Sequence, residues 1–177
     1  PRPWHETPPD VENVPLRQRH LVSLTGPFAD ALRRSDAVFD IGGGDSFTDI
    51  YGPDRFFTVW GTKFRSILRG KPLVLCPQTL GPFDTWWART LARYAMSRSR
   101  TVVVRDAQST AFLKELGVRT DVLEATDVAM RLPYERPGPK TGETVRVGLN
   151  VSGLLMSGGY SRSYQFGLMG DYPTLIW

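Results

Sequence analysis

Apolar residues along this chain switch between a period of two and a period near 3.6, so strand and helix are predicted in turn. Ala37-Val38-Phe39 is an apolar run inside Asp36 to Ile41, the first clear strand. From Pro53 to Arg69, Phe56, Trp60, Phe64 and Ile67 recur at steps of four, four and three, and Gly70 follows as a stop, which predicts one face of a helix. Pro72 to Cys76 reads as a second strand and Pro77 to Phe83 as its loop. Asp84 is placed to cap a helix whose Trp87, Leu91, Tyr94 and Ala95 share a face, and Thr101 to Val104 is a third strand. Asp106 predicts the N-cap of a helix over Ala107 to Leu116, with Phe112, Leu113 and Leu116 inward and Gly117 closing it before a short strand, Val118 to Leu123.

The remainder is less regular. Residues 1 to about 20 read as a loop or loosely held arm and Pro27 to Arg34 as a short helix. Arg131 to Glu143, with three prolines and two glycines, reads as a linker. Thr144 to Val151 predicts a new strand, and Asp171 with Pro173 looks like the start of a helix. The alternation predicts an α/β fold: a Rossmann-like, doubly wound and mostly parallel sheet over residues 1–130 with helices on both faces, a linker over 131–143, and the start of a second α/β unit over 144–177. Phe39, Trp60, Phe64, Val74, Trp87, Leu91, Val103 and Phe112 are expected to be buried. An opening proline and a helix that is only beginning at Trp177 read as a piece of a longer chain, lacking a first strand and most of a second domain.

Chemistry concentrates where the strands end. Asp40-Ile41-Gly42-Gly43-Gly44-Asp45-Ser46-Phe47-Thr48-Asp49 empties an apolar strand into three glycines and a set of carboxylate and hydroxyl side chains. Successive glycines let the backbone take crowded conformations and let a ligand approach the main chain. The same segment also suits a plain tight turn; the Asp and Ser tilt it towards a site. In a parallel sheet this loop, Gln78 to Gly81, Arg105-Asp106 and Thr126-Asp127 all emerge along one edge, where open α/β sheets bind ligands.

Composition narrows the partners. The chain has 177 residues, 41% hydrophobic and 23% charged, enough for a real core. Its net charge is only +4 and its arginines are scattered, so nucleic acid is not the expected partner, whereas anionic small molecules or peripheral association with a membrane surface stay open. The single cysteine, Cys76, lies in an apolar run, excludes an internal disulfide and reads as an inert thiol in a reducing compartment. There is no membrane-spanning apolar run and no signal-peptide pattern, so a cytoplasmic location is expected. One cysteine and two remote histidines, His5 and His20, make no zinc site and read as surface groups, and Asn150-Val151-Ser152 is a chance sequon in that compartment.

Ile41-Gly42-Gly43-Gly44-Asp45-Ser46-Phe47-Thr48-Asp49, Pro77-Gln78-Thr79-Leu80-Gly81-Pro82, Val103-Val104-Arg105-Asp106-Ala107-Gln108-Ser109 with Leu116-Gly117-Val118 behind it, and Thr126-Asp127 together resemble the bacterial polysaccharide pyruvyl transferases, over about residues 36 to 151. Each motif is weak alone, and their order and spacing carry the resemblance. It implies transfer of a pyruvyl group from phosphoenolpyruvate to two hydroxyls of a sugar in a cell-surface polysaccharide or its lipid-linked precursor, forming a ketal at the inner face of the membrane. It also implies a two-domain, glycosyltransferase-B-like architecture, with the donor pocket and an acid histidine in the second domain, and no metal or further cofactor.

Such chemistry needs a cationic clamp, and Arg105 is the best candidate, because a guanidinium grips carboxylate or phosphate with two parallel bonds. Arg105 is equally suited to an ion pair with Asp106 or a neighbouring carboxylate that only organises the loop. Gly42, Gly43, Gly44, Asp45, Ser46, Asp49 and, beside Arg105, Asp106 read as substrate-binding, with turn or helix capping as the competing role for the polar members. Gln78 is placed to reach a ligand, Gly81-Pro82 to turn the chain, and Asp127 to cap a hinge. Two other classes stay open: a glycosyltransferase of the same architecture using a nucleotide sugar, and a non-catalytic glycan-binding module.

Overall fold

The computed structural model describes residues 9–42, 47–136, 138, 147–156 and 171–176. They fall into two compact units, Pro1–Arg131 and Leu132–Trp177. The first is a four-stranded, all-parallel sheet in the order β1 (Val38–Asp40), β2 (Leu73–Gln78), β3 (Thr101–Val104) and β4 (Val122–Glu124). Helices α1 (Gln18–Val22) and α2 (Pro27–Arg34) precede it, and α3 (Pro53–Leu68), α4 (Trp86–Ser97) and α5 (Ala107–Glu115) make the successive crossovers. A 3-10 turn, Val128–Arg131, ends the unit.

The expectation of helices on both faces is corrected by the strand order. Right-handed crossovers that always step the same way along a sheet leave every crossover helix on one side. Register confirms that side: Val38 pairs with Leu73, Leu75 with Val102, and Val102 with Val122. Leu73, Leu75, Val102 and Val104 are buried with Phe56 of α3, Ala88, Ala92, Ala95 and Met96 of α4, and Leu113 of α5. The other face carries Phe39, paired with Val74, and Val103, paired with Leu123. There Phe39 is 69% and Leu123 55% exposed.

The expected core list shifts for a related reason. Phe39 is exposed, and Trp60, Phe64, Val74, Trp87, Leu91, Val103 and Phe112 are half-buried. Helix α4 turns Ala88, Ala92, Ala95 and Met96 into the core, while its bulkier residues lie on the flank, against α3. There Phe57 and Trp87 stack at 5.3 Å, Trp60 and Phe64 at 4.6 Å, and the Trp60 indole donates to the Leu91 carbonyl at 2.9 Å. The arm also differs from expectation, since its last residues form α1. Gln18 donates to the Thr58 hydroxyl, and Arg65 reaches the Ser23 carbonyl at 2.7 Å.

In the second unit, residues 147–151 form no strand, correcting the sequence reading for the part of Thr144 to Val151 that is described. An isolated apolar strand has no ladder to join, and Val147 and Leu149 are exposed. Helices α6 (Gly153–Met156) and α7 (Tyr172–Ile176) follow, and the Tyr172 hydroxyl accepts from the Ser152 amide at 3.0 Å. Asp171 starts α7 as its side chain suggested, accepting from the Thr174 hydroxyl. Among the described residues no helix is long and apolar enough to cross a membrane.

The asymmetry of the sheet is testable in this chain. Leu75→Ala is expected to lower the unfolding free energy by about 2–5 kcal/mol, the usual cost of truncating a fully buried leucine. Phe39→Ser is expected to change it by no more than about 0.5 kcal/mol. Urea titration of both variants checks this, and equal losses would mean that the Phe39 face is packed.

Candidate functional site

Two hydrogen-bonded networks organise the carboxyl edge of the sheet. The first surrounds the glycine loop. Lys63 points inward from α3 and is fully buried. Its Nζ donates to Asp40 Oδ2 at 2.8 Å, where the loop leaves β1, and stands 4.4 Å from the centre of the Phe47 ring, where the loop returns. Burial holds the Lys63 pKa below its ordinary value, and the Asp40 carboxylate opposes that shift. Phe47 is fully buried, bridges Leu80 in parallel and accepts the Gly81 amide at 3.0 Å, so the return of the loop is tied to the segment after β2.

Gln78 supports the same loop from below. It belongs to β2 rather than to the loop beyond it. Between Leu75 and Gln78 the register shifts, which turns Gln78 onto the helix side, opposite Val104, and buries it completely. Its Nε2 donates to the Asp40 carbonyl at 3.0 Å, and its Oε1 is buried with no hydrogen-bond partner. Gly42 lies against that oxygen with a φ of +59°, and a Cβ there would sit 1.8 Å from Oε1, so any side chain would strain the backbone and displace the Gln78 amide. The expectation that Gln78 lines a ligand surface is thereby corrected: it braces the backbone.

The second network joins the ends of β2, β3 and β4. Arg105 donates from Nε to the Thr79 hydroxyl at 2.8 Å and from Nη1 to Asp127 Oδ2 at 2.7 Å. Asp106 caps α5 by accepting the Ser109 amide at 2.6 Å and also accepts from Thr79 at 3.1 Å. Asp127 accepts the Ala129 amide at 2.9 Å with its other oxygen, capping the 3-10 turn. Of the two partners foreseen for Arg105, the neighbouring carboxylate is Asp127 rather than Asp106. Nη2 of Arg105 makes no hydrogen bond among the described residues, and the side chain is about one-third exposed. With Thr79, Gly81, Asp106, Ser109 and Phe112 it lines a cleft of about 790 Å3.

The remaining site candidates divide. Gly43, Gly44, Asp45 and Ser46 lie outside the described residues. Asp49 is occupied by structure: it accepts the amides of Asp84 and Thr85 at 2.9 Å each and the Thr85 hydroxyl at 2.6 Å. It thereby caps the approach to α4, a role assigned from sequence to Asp84. Three carboxylates have lowered pKa values. Burial raises that of Asp49, but the Thr85 and Asp84 bonds outweigh it. In Asp106 burial is likewise outweighed, by the bonds from Ser109 and Thr79 and by the charge of Arg105. For Asp127 the Ala129 amide and Arg105 bring it down. The Cys76 thiol is pushed up by burial and by Asp40, which keeps it protonated and inert. Among the described residues no group of three or more His, Cys, Asp or Glu side chains is arranged to hold a metal ion. Sequence reading missed Lys63 and Thr79. A lysine at 63 falls in line with Phe56, Val59 and Ser66 on the inward face of α3, and a charge on an inward stripe was the available signal.

Comparison with known proteins covers nearly all of this unit. Residues 3–172 match the family model described as polysaccharide pyruvyl transferase. The chain is similar to the amylovoran biosynthesis protein AmsJ of Erwinia amylovora, with 30% identity over 103 residues, covering 58% of this chain and 24% of that protein. The chain thus matches about a quarter of the length of that relative. No solved structure matches it significantly.

Two outcomes follow from the networks. Asp40→Ala strands a buried ammonium and is expected to cost about 3–5 kcal/mol, whereas Asp40→Leu combined with Lys63→Met should recover most of the loss. Denaturant unfolding decides it, and a double variant as unstable as Asp40→Ala would show that the pair is not the reason. Asp49→Ala is expected to cost about 0.5–2 kcal/mol at neutral pH, as lost caps do. Because the folded pKa of Asp49 lies below the unfolded one, its contribution is complete above about pH 5 and disappears as pH falls through the folded value. Unfolding curves from neutral to strongly acidic pH should show the gap between wild type and Asp49→Ala closing, and a constant gap would refute the assignment.

Proposed function

The chain belongs to the polysaccharide pyruvyl transferase family, and from that premise we propose that it forms one wall of an enzyme that transfers a pyruvyl group from phosphoenolpyruvate to a polysaccharide sugar or its lipid-linked precursor. In this reading, a sugar hydroxyl adds to C2 of the enol ester while C3 takes up a proton. A second hydroxyl then displaces the phosphate, leaving a cyclic ketal and inorganic phosphate, and no redox partner or metal enters the balance. The observation that carries the reading is Arg105. Its guanidinium is aimed by Thr79 and Asp127 at the carboxyl ends of parallel strands, with one nitrogen unbonded among the described residues. A cation fixed before the substrate arrives needs no reorganisation to receive the carboxylate or phosphate of the donor.

The proton for C3 has no candidate among the described residues of this edge. His20 lies in α1, with its Nδ1 3.2 Å from the Pro15 carbonyl, and His5 is outside the described residues. We place the general acid and the opposite wall in a second domain of glycosyltransferase-B-like form.

The test is phosphate release from phosphoenolpyruvate together with mass spectrometry of the acceptor glycan. It compares this chain alone with a chain extended to the length of AmsJ. Ketal is expected from the extended protein only, and turnover by residues 1–177 alone would refute the division. In the extended protein Arg105→Lys is expected to lower kcat/KM by about 10²-fold, because a point charge cannot replace an oriented fork. Wild-type turnover in that variant would remove Arg105 from the mechanism. Turnover with a nucleotide sugar in place of phosphoenolpyruvate would favour the glycosyltransferase reading.

A further inference from the structure

A second concentration of positive charge lies at the opposite edge of the sheet from Arg105. Crossover helices run antiparallel to the strands they join, so α4 and α5 end beside the strand starts, separated from Arg105 by the length of β3, roughly 13 Å at about 3.3 Å per residue. There Arg93, Arg98 and Arg119 line one pocket of about 400 Å3, together with Thr90, Tyr94 and Ser97. The pocket has three guanidinium groups and three hydroxyls, and no carboxylate lines it. Arg93 lies across the backbone of Gly117, its Nε 3.7 Å from where a Cβ would stand, and Arg98 lies over the Tyr94 ring at 5.6 Å.

Ion pairing elsewhere makes this grouping informative. Among the described residues the salt bridges join Arg33 to Asp30, Arg34 to Glu12, Lys63 to Asp40, Arg89 to Glu115 and Arg105 to Asp127. None reaches Arg93, Arg98 or Arg119, and Glu115, on the neighbouring helix, is taken by Arg89. A helix carboxyl end favours a nearby cation. Three guanidinium groups around one concavity repel one another, and an anion entering it relieves that repulsion. Guanidinium forks with hydroxyls between them match the oxygens of a phosphate, which accepts several charge-assisted bonds at once.

We propose that the Arg93, Arg98 and Arg119 pocket binds a phosphate group, at a site separate from the Arg105 cleft. Two sources carry that chemistry: a soluble phosphorylated compound, or the headgroup of a membrane lipid. The lipid source has one further feature in its favour. Trp86, Thr90, Arg93 and Ser97 follow one another at steps of four, three and four along one face of α4, and Trp86 is 78% exposed. An exposed indole two turns from Arg93 on the same helix face is an arrangement that suits a membrane interface, where aromatic and cationic side chains share the boundary.

The experiment uses the full 177-residue chain and does not depend on transferase activity. Pyrophosphate binding is measured by calorimetry, and vesicle binding by co-sedimentation with phosphatidylcholine vesicles with and without phosphatidylglycerol. The test variant combines Arg93→Gln, Arg98→Gln and Arg119→Gln. A control of equal charge change combines Arg34→Gln, Arg131→Gln and Arg136→Gln, and a third variant replaces the three pocket arginines by lysine. The pocket variant is expected to bind roughly tenfold more weakly or worse, the control to bind like wild type, and the lysine variant to fall between them. Loss confined to pyrophosphate identifies a soluble source, and loss confined to anionic vesicles a lipid one. Should the triple variant fail to unfold cooperatively, Arg119→Glu alone, on the turn after α5, takes its place. The proposal is overturned if wild type binds neither probe, or if pocket and control variants lose binding equally. The three arginines would then serve only as cations at helix ends.

Discussion

The buried ammonium of Lys63 sets the geometry of the whole carboxyl edge. A charge removed from water must keep its partner, so Asp40 at one stem of the glycine loop is held to it, and the Phe47 ring at the other stem packs beneath it. From Phe47 the constraint passes through the bridge to Leu80 and the bond to Gly81, and from the Asp40 carbonyl to Gln78. An apolar pair of similar volume would pack here at no greater cost. What the ion pair adds is direction, because a salt bridge with hydrogen-bond geometry admits one arrangement of both stems where apolar contacts would admit several.

A second set of constraints runs across the sheet at its exposed rim. Arg105, Thr79, Asp106 and Asp127 join the ends of β2, β3 and β4, while Asp49 ties the exit of the glycine loop to the start of α4. The carboxylates involved titrate below their ordinary values because they receive backbone amides, so their charge is retained at neutral pH and their positions are fixed. The rim is therefore organised by the chain's own residues, before any ligand meets it.

The one-sided sheet has its own consequence for packing. Alanines at 88, 92 and 95 are the residues α4 contributes to the core with Met96, and aromatic residues collect between α3 and α4. Trp60, Phe64 and Trp87 there are half-buried and Phe57 is exposed, which is how a chain rich in aromatics can have a core whose fully buried members are mostly small or aliphatic. On the far side Phe39 and Leu123 remain in contact with solvent.

Much of the local architecture was legible along the chain. Every strand of the sheet lies within or beside an apolar run, each crossover helix follows its period, and Asp106 caps α5 as its position before Ala107 implied. These features depend on neighbours within a few residues, which is the range over which sequence speaks directly. Gln78, Asp49 and Lys63 belong to another range. The register shift that buries Gln78, the reach of Asp49 to Asp84 and Thr85, and the meeting of Lys63 with Asp40 join residues 23 to 38 positions apart. Periodicity cannot show them, because it places a side chain on a face without saying which element lies opposite. Strand order decided that as well: stepping always in one direction put every crossover helix on one side and left Phe39 bare, although its apolar run is what a buried strand requires. The sequence by itself determined the strands and crossover helices of the sheet, the Asp106 cap and the family; the packing of distant elements decided which polar groups brace the rim and which remain free to meet a ligand.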